Sequence, residues 1–352
     1  MVIKGKAKKR AKRVFIKNKI KLQASEPEAK EKLAKKLQTL TSKNPEGNFQ
    51  PPEIVSMGEN SDISVYNPDL NFFTKCIDEK FYFSYTRQLH GFWDGIIGAL
   101  HNNPELRNIN LSKTYIELLA KEIKKFKEEE QGYFYEDFIY EDVLNMITSI
   151  DRWPKNFLLG VNDLGFYHQA QSPVVIKNKS YDTWDTHIYK PGRIGPQSIK
   201  IYELRQFIIK KFLPKDHIPF EGMLWRRFAF HNKLKDFFLK YKKRKIVIVG
   251  PNYYTEFDKL FNLEKYSHIK IDITKASWQA YTLANQIFDE HFHHLKTHES
   301  VIYFISAGTL GTWLTLKLHN LPNSFILDVG RALQYFYPAK AKGRWLKSSF
   351  SH

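Results

Sequence analysis

Cysteine is almost missing from this sequence: Cys76 is the only one in 352 residues, so no disulfide can form within the chain. That scarcity fits a reducing compartment, and a cytoplasmic protein is expected. A membrane span is missing too. The stretch VIYFISAGTLGTWLTLKL carries no charge from Val301 to Leu316, but Lys317 ends it. A spanning helix needs about 20 apolar residues, and Ser306, Gly308 and Gly311 interrupt this one. The basic N-terminus leads into no apolar core of signal-peptide length.

Several catalytic motifs are also absent. There is no G-x-G-x-x-G fingerprint for dinucleotides and no G-x-x-x-x-G-K-[ST] phosphate loop. The Gly308–Gly311 turn lacks the lysine that holds a triphosphate, which argues against a kinase or NTPase of that class. The serine elbow G-x-S-x-G is missing, and Cys76 has no neighbouring base, which argues against nucleophilic hydrolysis. In DEHFHHLKTHE, His291, His294 and His298 share one helix face. Without H-E-x-x-H or a tighter pairing, a solvated helix end is expected there rather than a zinc site.

Positive charge, by contrast, is abundant. With 55 Lys/Arg against 37 Asp/Glu the net charge is +18. Ten of the basic residues, and no acid, lie between Met1 and Leu22, as in KGKAKKRAKR. Residues 4–21 are thus a candidate contact for nucleic acid, anionic lipid or another polyanion. A solvated tail that aids solubility is the alternative. We read 1–45 as a basic, partly disordered extension. It includes an amphipathic helix over 26–41 that aligns Leu33, Leu37 and Leu40. Residues 46–71, rich in Pro, Asn, Gly and Ser, read as a linker.

Two parts follow: 72–222, an N-terminal α/β part, and 223–352, a Rossmann-like part. Strands are predicted at 81–86 and 156–161. One long helix is predicted over 223–241. The last third then alternates: strand 245–249, helix 254–261, strand 269–273, helix 277–296, strand 301–306, turn AGTLG, helix 312–319 and strand 324–329. Continuous apolar strands separated by helices imply a mostly parallel sheet covered on both faces. Ligands in such sheets bind beyond the carboxyl ends of the strands. Three loops are expected there: Gly250-Pro251-Asn252, Ser306 to Gly311 with Gly308 and Thr309, and Asp328-Val-Gly330. A glycine turn opening a helix presents backbone N–H groups to anions, although it also serves plain packing.

Other candidates precede these loops. Arg87, His90, Gly91, Asp94 and Gly95 follow a strand in RQLHGFWDG. Arg87 can fork a diphosphate. Asp94 can hold a divalent ion that bridges such a group, or cap the next helix. Asp163, in VNDLGF, offers the same two roles. The loop SYDTWDTHIYKPGRIGP supplies aromatic faces and polar groups that suit a sugar ring or a base, and equally a packed loop.

Taken together, MLWRRFAFHNKLKDFFLKYKKRKIVIVGPNYY, ISAGTLGTWLTLKL and FILDVGRALQYF resemble the carboxyl-terminal part of the GT-D-type glycosyltransferases. The likeness is best over the last third of the chain. The family's R-[FY]-G-D-G-E is matched here by Arg87, Gly91, Asp94 and Gly95 with an insertion, and Ile96 stands where the glutamate would. The resemblance implies an α/β Rossmann-like fold and transfer of a sugar from a nucleotide-sugar donor to an acceptor. It implies Mn²⁺ or Mg²⁺ at Asp94, which would hold the metal or the ribose; we take Asp163 and Asp328 as the candidates for the general base, so that Asp94, Asp163 and Asp328 are the candidate catalytic residues. Arg87 and the three loops would bind the donor. The rival reading is a non-enzymatic protein that binds nucleic acid or a scaffold through its basic tail.

Overall fold

Runs such as KIVIVG and VIYFI can be buried only with partners on both faces. The computed structural model of the chain supplies them. It describes residues 18–40, 52, 54–56, 64–88, 139, 141–143, 145, 154–161, 217–222, 224–272, 276–295 and 300–337. Among these, nine strands form one sheet. They are β1 (Ile54–Ser56), β2 (Ser64–Tyr66), β3 (Ser84–Gln88), β4 (Phe157–Val161) and β5 (Phe220–Glu221), then β6 (Lys245–Gly250), β7 (Lys265–Lys270), β8 (Val301–Ile305) and β9 (Ser324–Asp328). Their spatial order is β1-β2-β5-β4-β3-β9-β8-β6-β7. Every neighbouring pair is parallel except β1 with β2. The expected mostly parallel α/β fold is the observed one.

Helices cover both faces. On one side lie α2 (Leu70–Asp78), α3 (Leu224–Phe230), α4 (Lys233–Lys240) and α5 (Phe257–Phe261). Asp69 starts α2 by accepting from the N–H groups of Asn71 and Phe72 at 2.9 and 3.3 Å, so that Phe73 and Ile77 point inward. These helices share a core with alternate strand residues: Tyr85, Ile246, Ile248, Ile302, Phe304, Phe325 and Leu327. Trp225, Phe237 and Phe304 meet edge to face at 5.7 to 5.9 Å. On the other side lie α6 (Ala280–Leu295) and α7 (Thr309–Leu318). His291 of α6, fully buried, reaches Tyr303 Oη of β8 at 3.0 Å with Nδ1 and the Pro322 carbonyl at 2.9 Å with Nε2. This ring ties a helix to the sheet instead of lying at a solvated end. His298 is outside the described residues.

Four expectations need correction. The segment 46–71 is not only a linker: it supplies β1 and β2, and Tyr66 stacks obliquely on Phe220 of β5 at 5.2 Å. Three-residue strands set among Pro, Asn and Ser leave no period to read. The extension also does not end at residue 45 as a free segment. Its helix, α1 (Glu26–Gln38), docks on α6 and buries Leu33. The long helix 223–241 is two helices, because Asn232 takes a left-handed conformation (φ 59°) between α3 and α4. Both halves still turn apolar residues to the same core, so the periodicity runs through the break. Finally, α7 begins at Thr309, inside the AGTLG turn, rather than at 312.

Candidate functional site at the carboxyl edge of the sheet

The strand register places the predicted loops together. Arg87 pairs with Gly160, Ile305 with Asp328, and Val249 with Ile305. All these strands run the same way, so Arg87, Gly250, Ser306, Asp328 and the residues that follow them lie at one end of the sheet. Gly91, Asp94 and Asp163 lie outside the described residues.

A chain of hydrogen bonds crosses this edge. The Tyr254 hydroxyl, from the turn after β6, donates to Ser306 Oγ at 3.3 Å, and Ser306 Oγ donates to the Gly330 carbonyl at 2.6 Å. Gly330 N–H donates to Asp328 Oδ1 at 3.1 Å. The Thr312 hydroxyl, in the first turn of α7, lies 3.4 Å from Asp328 Oδ2 and 3.2 Å from the Arg87 carbonyl. Both Asp328 oxygens are therefore engaged, and the side chain is only 1% exposed. Burial pushes its carboxyl up to about 6, against the opposing pull of Arg87, of the Gly330 and Arg87 N–H groups, and of Thr312.

Two glycines make room for this arrangement. Gly311 sits inside α7 where a Cβ would come within 2.9 Å of Asp328 Oδ1. Its value lies in close packing, not in the turn that the sequence suggested. Gly330 has φ +50°, and a Cβ there would fall 1.8 Å from Arg87 Nη2. The Arg87 guanidinium thus lies flat against the Gly330 backbone. Gly308 (φ 61°, ψ −137°) opens α7 without a side-chain cap. A Cβ at Gly250 would fall 2.8 Å from the Tyr254 ring and 3.3 Å from Ser306 Cβ. Pro251 is buried, whereas Asn252 is exposed and uses its carbonyl to hold the Thr255 hydroxyl at 2.7 Å.

Arg87 is the unusual member. It is 9% exposed, and its Nε and Nη1 are buried with no hydrogen-bond partner among the described residues. Burial lowers its pKa, while Asp328, Tyr85 and Glu221 act to raise it. An unmade hydrogen bond on a buried charged group costs more than the ~1–3 kcal/mol of a neutral one. Arg87 is therefore a buried cation whose donors the described residues do not fully use.

Residues that the sequence reading did not single out complete the edge. Glu221 at the end of β5 is 2% exposed and lies 3.4 Å from Arg227 Nη2, which also bonds Asn67 Oδ1. The Tyr85 hydroxyl donates to the Glu221 carbonyl at 2.8 Å. A two-residue strand offers no pattern, although an acid directly after the apolar IPF was a usable signal. Cys76 is buried and its thiol is pushed up to about 12, so it is no nucleophile.

Metal ligation was tested on the same residues. Among the described residues no three His, Cys, Asp or Glu side chains come together. Asp328 spends both oxygens on protein donors, so it does not fit a metal-ligand role as placed.

The described chain is thus an α/β protein whose parallel strands end in a polar, charged edge. No family model and no curated protein matches its sequence. Among solved structures, it is similar to one described as "The highly conserved domain of unknown function 1792 has a distinct glycosyltransferase fold". The TM-score is 0.46 at 10% identity, over 79% of this chain and 85% of that one. It is also similar to a selenomethionine-substituted structure of domain of unknown function 1792, with a TM-score of 0.45, 10% identity and the same coverage. Among the described residues, no helix is long and apolar enough to cross a membrane.

Proposed function

We propose that this protein is a glycosyltransferase-like enzyme that transfers a sugar from a nucleotide-sugar donor to an acceptor. The observation that carries the reading is Arg87: a buried guanidinium with unpartnered N–H groups, at the carboxyl edge of a parallel sheet. A leaving nucleoside diphosphate is the anion such a group suits, because two N–H donors can fork its oxygens while the charge offsets the negative charge that develops on departure. Gly330, by carrying no side chain, makes the space that the guanidinium itself occupies. Asp328 then acts as a positioning residue, since it fixes the Gly330 turn and faces Arg87 with opposite charge. The roles of Asp94 and Asp163, as metal ligand or base, belong to this proposal as well. A Mn²⁺ or Mg²⁺ ion held there would add charge neutralisation on the diphosphate.

The test is a thermal-shift screen of nucleotide sugars with and without Mn²⁺, followed by calorimetry of Arg87→Ala with the best ligand. A donor that binds only the folded chain raises the melting temperature. Loss of the charged contact should weaken donor binding on the order of ten- to a hundredfold, or ~1.5–3 kcal/mol. Equal binding by Arg87→Ala and wild type would remove the site from this edge.

A further inference from the structure

A buried guanidinium needs both a countercharge and hydrogen-bond acceptors. In this protein the two are supplied separately. The countercharge is Asp328, whose field favours the charged form of Arg87 against burial. Yet no Arg87–Asp328 ion pair within 4.0 Å is formed. The Asp328 oxygens are turned instead to Gly330 N–H and the Thr312 hydroxyl. Among the described residues Arg87 Nε and Nη1 are left without acceptors. The fold balances the charge itself and leaves these buried donors unmatched.

The surroundings limit what can serve as the acceptor. Tyr85 from β3, Arg331 from the turn after β9, and Glu221 from β5 are the other titratable groups whose fields reach Arg87. From α7 comes the neutral Thr312 hydroxyl, next to a helix start that has no side-chain cap. An acceptor that entered as an anion would place a second negative charge near a carboxylate in a buried setting, and two such charges do not both persist there.

We propose that a phosphate-type oxyanion binds at Arg87 through the unpartnered guanidinium N–H groups, and that it does so together with uptake of a proton from solvent onto Asp328. The incoming anion takes over as countercharge, and the carboxyl becomes neutral without leaving its hydrogen bonds. Burial already holds that carboxyl up to about 6, so the proton is gained at little cost near neutral pH. This inference rests on the donor reading for Arg87 and adds a proton coupling to it. A nucleoside diphosphate and a free inorganic anion share the chemistry.

The experiment is calorimetry on the full chain. Inorganic sulfate serves as the fixed-charge probe, because its charge does not change over the range used. Pyrophosphate and the best nucleotide sugar are the second and third probes. Wild type should bind sulfate several-fold more tightly as pH falls from about 8 to about 6. Two buffers of different ionisation heat should report net proton uptake. Asp328→Asn keeps an acceptor for Gly330 N–H. It should bind roughly tenfold more tightly than wild type at about pH 8 and take up no proton. Should Asp328→Asn not fold, the two-buffer comparison on wild type decides. Sulfate binding with no proton uptake, or an unchanged pH slope in Asp328→Asn, overturns the coupling. The two readings fail separately. Proton-linked binding of sulfate and pyrophosphate with no response to any nucleotide sugar sinks the donor proposal alone. A nucleotide sugar that binds without proton uptake sinks the coupling alone.

Discussion

Helices α6 and α7 lie side by side on one face of the sheet, and their first turns are treated in opposite ways. The start of α6 is closed by a carboxylate from far along the chain. Glu26 accepts from Tyr281 N–H at 2.8 Å, and from Thr282 N–H and its hydroxyl at 3.1 and 2.6 Å. The docked α1 adds an Asn285 bond to the Ala29 carbonyl at 2.7 Å and a Lys36–Asp289 ion pair at 2.5 Å. The start of α7 has no side-chain cap, and the nearby guanidinium has open donors. A helix start attracts negative charge in either case. At α6 a carboxylate from α1 meets the free N–H groups directly; at α7 Asp328 reaches only the Thr312 hydroxyl and gives its other oxygen to Gly330 N–H. One helix start is closed within the protein and the other is left without a side-chain cap.

The comparison can be broken most severely at Gly330. Gly330→Ala should cost about 3 kcal/mol or more, because a positive φ is strained for alanine and the new methyl must displace a buried guanidinium. Urea unfolding should show this, with anion binding lost in parallel. A neutral result would mean that Arg87 moves aside freely and is not held in place.

Asp328→Asn should have the next largest effect, and one that depends on pH. Burial raises the native carboxyl from its ordinary 3.8 to about 6. Between those values the native state holds a proton that the unfolded chain has released, so wild-type stability falls as pH rises through this window. Asn mimics the protonated form throughout. The variant should therefore gain on wild type by about 2–3 kcal/mol between about pH 4 and about pH 7. Denaturation midpoints of both proteins at stepped pH check this, and a constant difference would contradict it.

At α6 the matching change is smaller. Glu26→Gln removes the charge and leaves one acceptor oxygen where two are used, so Tyr281 N–H or the Thr282 donors lose their partner; it should cost about 1–2 kcal/mol, part of which added salt removes. Deleting residues 1–17 should leave the melting temperature unchanged, because the cut stops short of Glu26 and of the α1–α6 joint. A clear drop in a thermal melt would show that the basic segment contributes to the packed core.

How far these features could be read beforehand follows their range along the chain. Strands β6, β8 and β9 were legible because each is a continuous apolar run ending at glycine or just before one. That alone grouped Gly250, Ser306, Gly308, Asp328 and Gly330. Arg87 was legible as a charged residue near a strand end, but it lies inside β3, paired with Gly160, rather than after the strand. The Thr312 and Gly311 contacts with Asp328 were not, since they depend on α7 starting one turn earlier than the glycines suggested. Glu26 was read as part of a tail because nothing local shows that its carboxylate meets a helix 255 residues away. Glu221 and β5 were hidden by the shortness of the strand.

The strand order has one more consequence, for how the chain reaches this structure. β3 and β9 are neighbours at the middle of the sheet, with Ser84 beside Ile326. During synthesis one edge of β3 can pair with β4 early, but its other edge waits for β9, which is far along the chain. Pairings of such long range are slow to form, and a strand edge left unpaired in the meantime is prone to join the wrong chain. By contrast, β6, β7, β8 and β9 pair among themselves within a short span. The strands β6 to β9 can therefore assemble among themselves and offer β9 as the template for β3, which makes the Arg87–Asp328 edge depend on a pairing of long range.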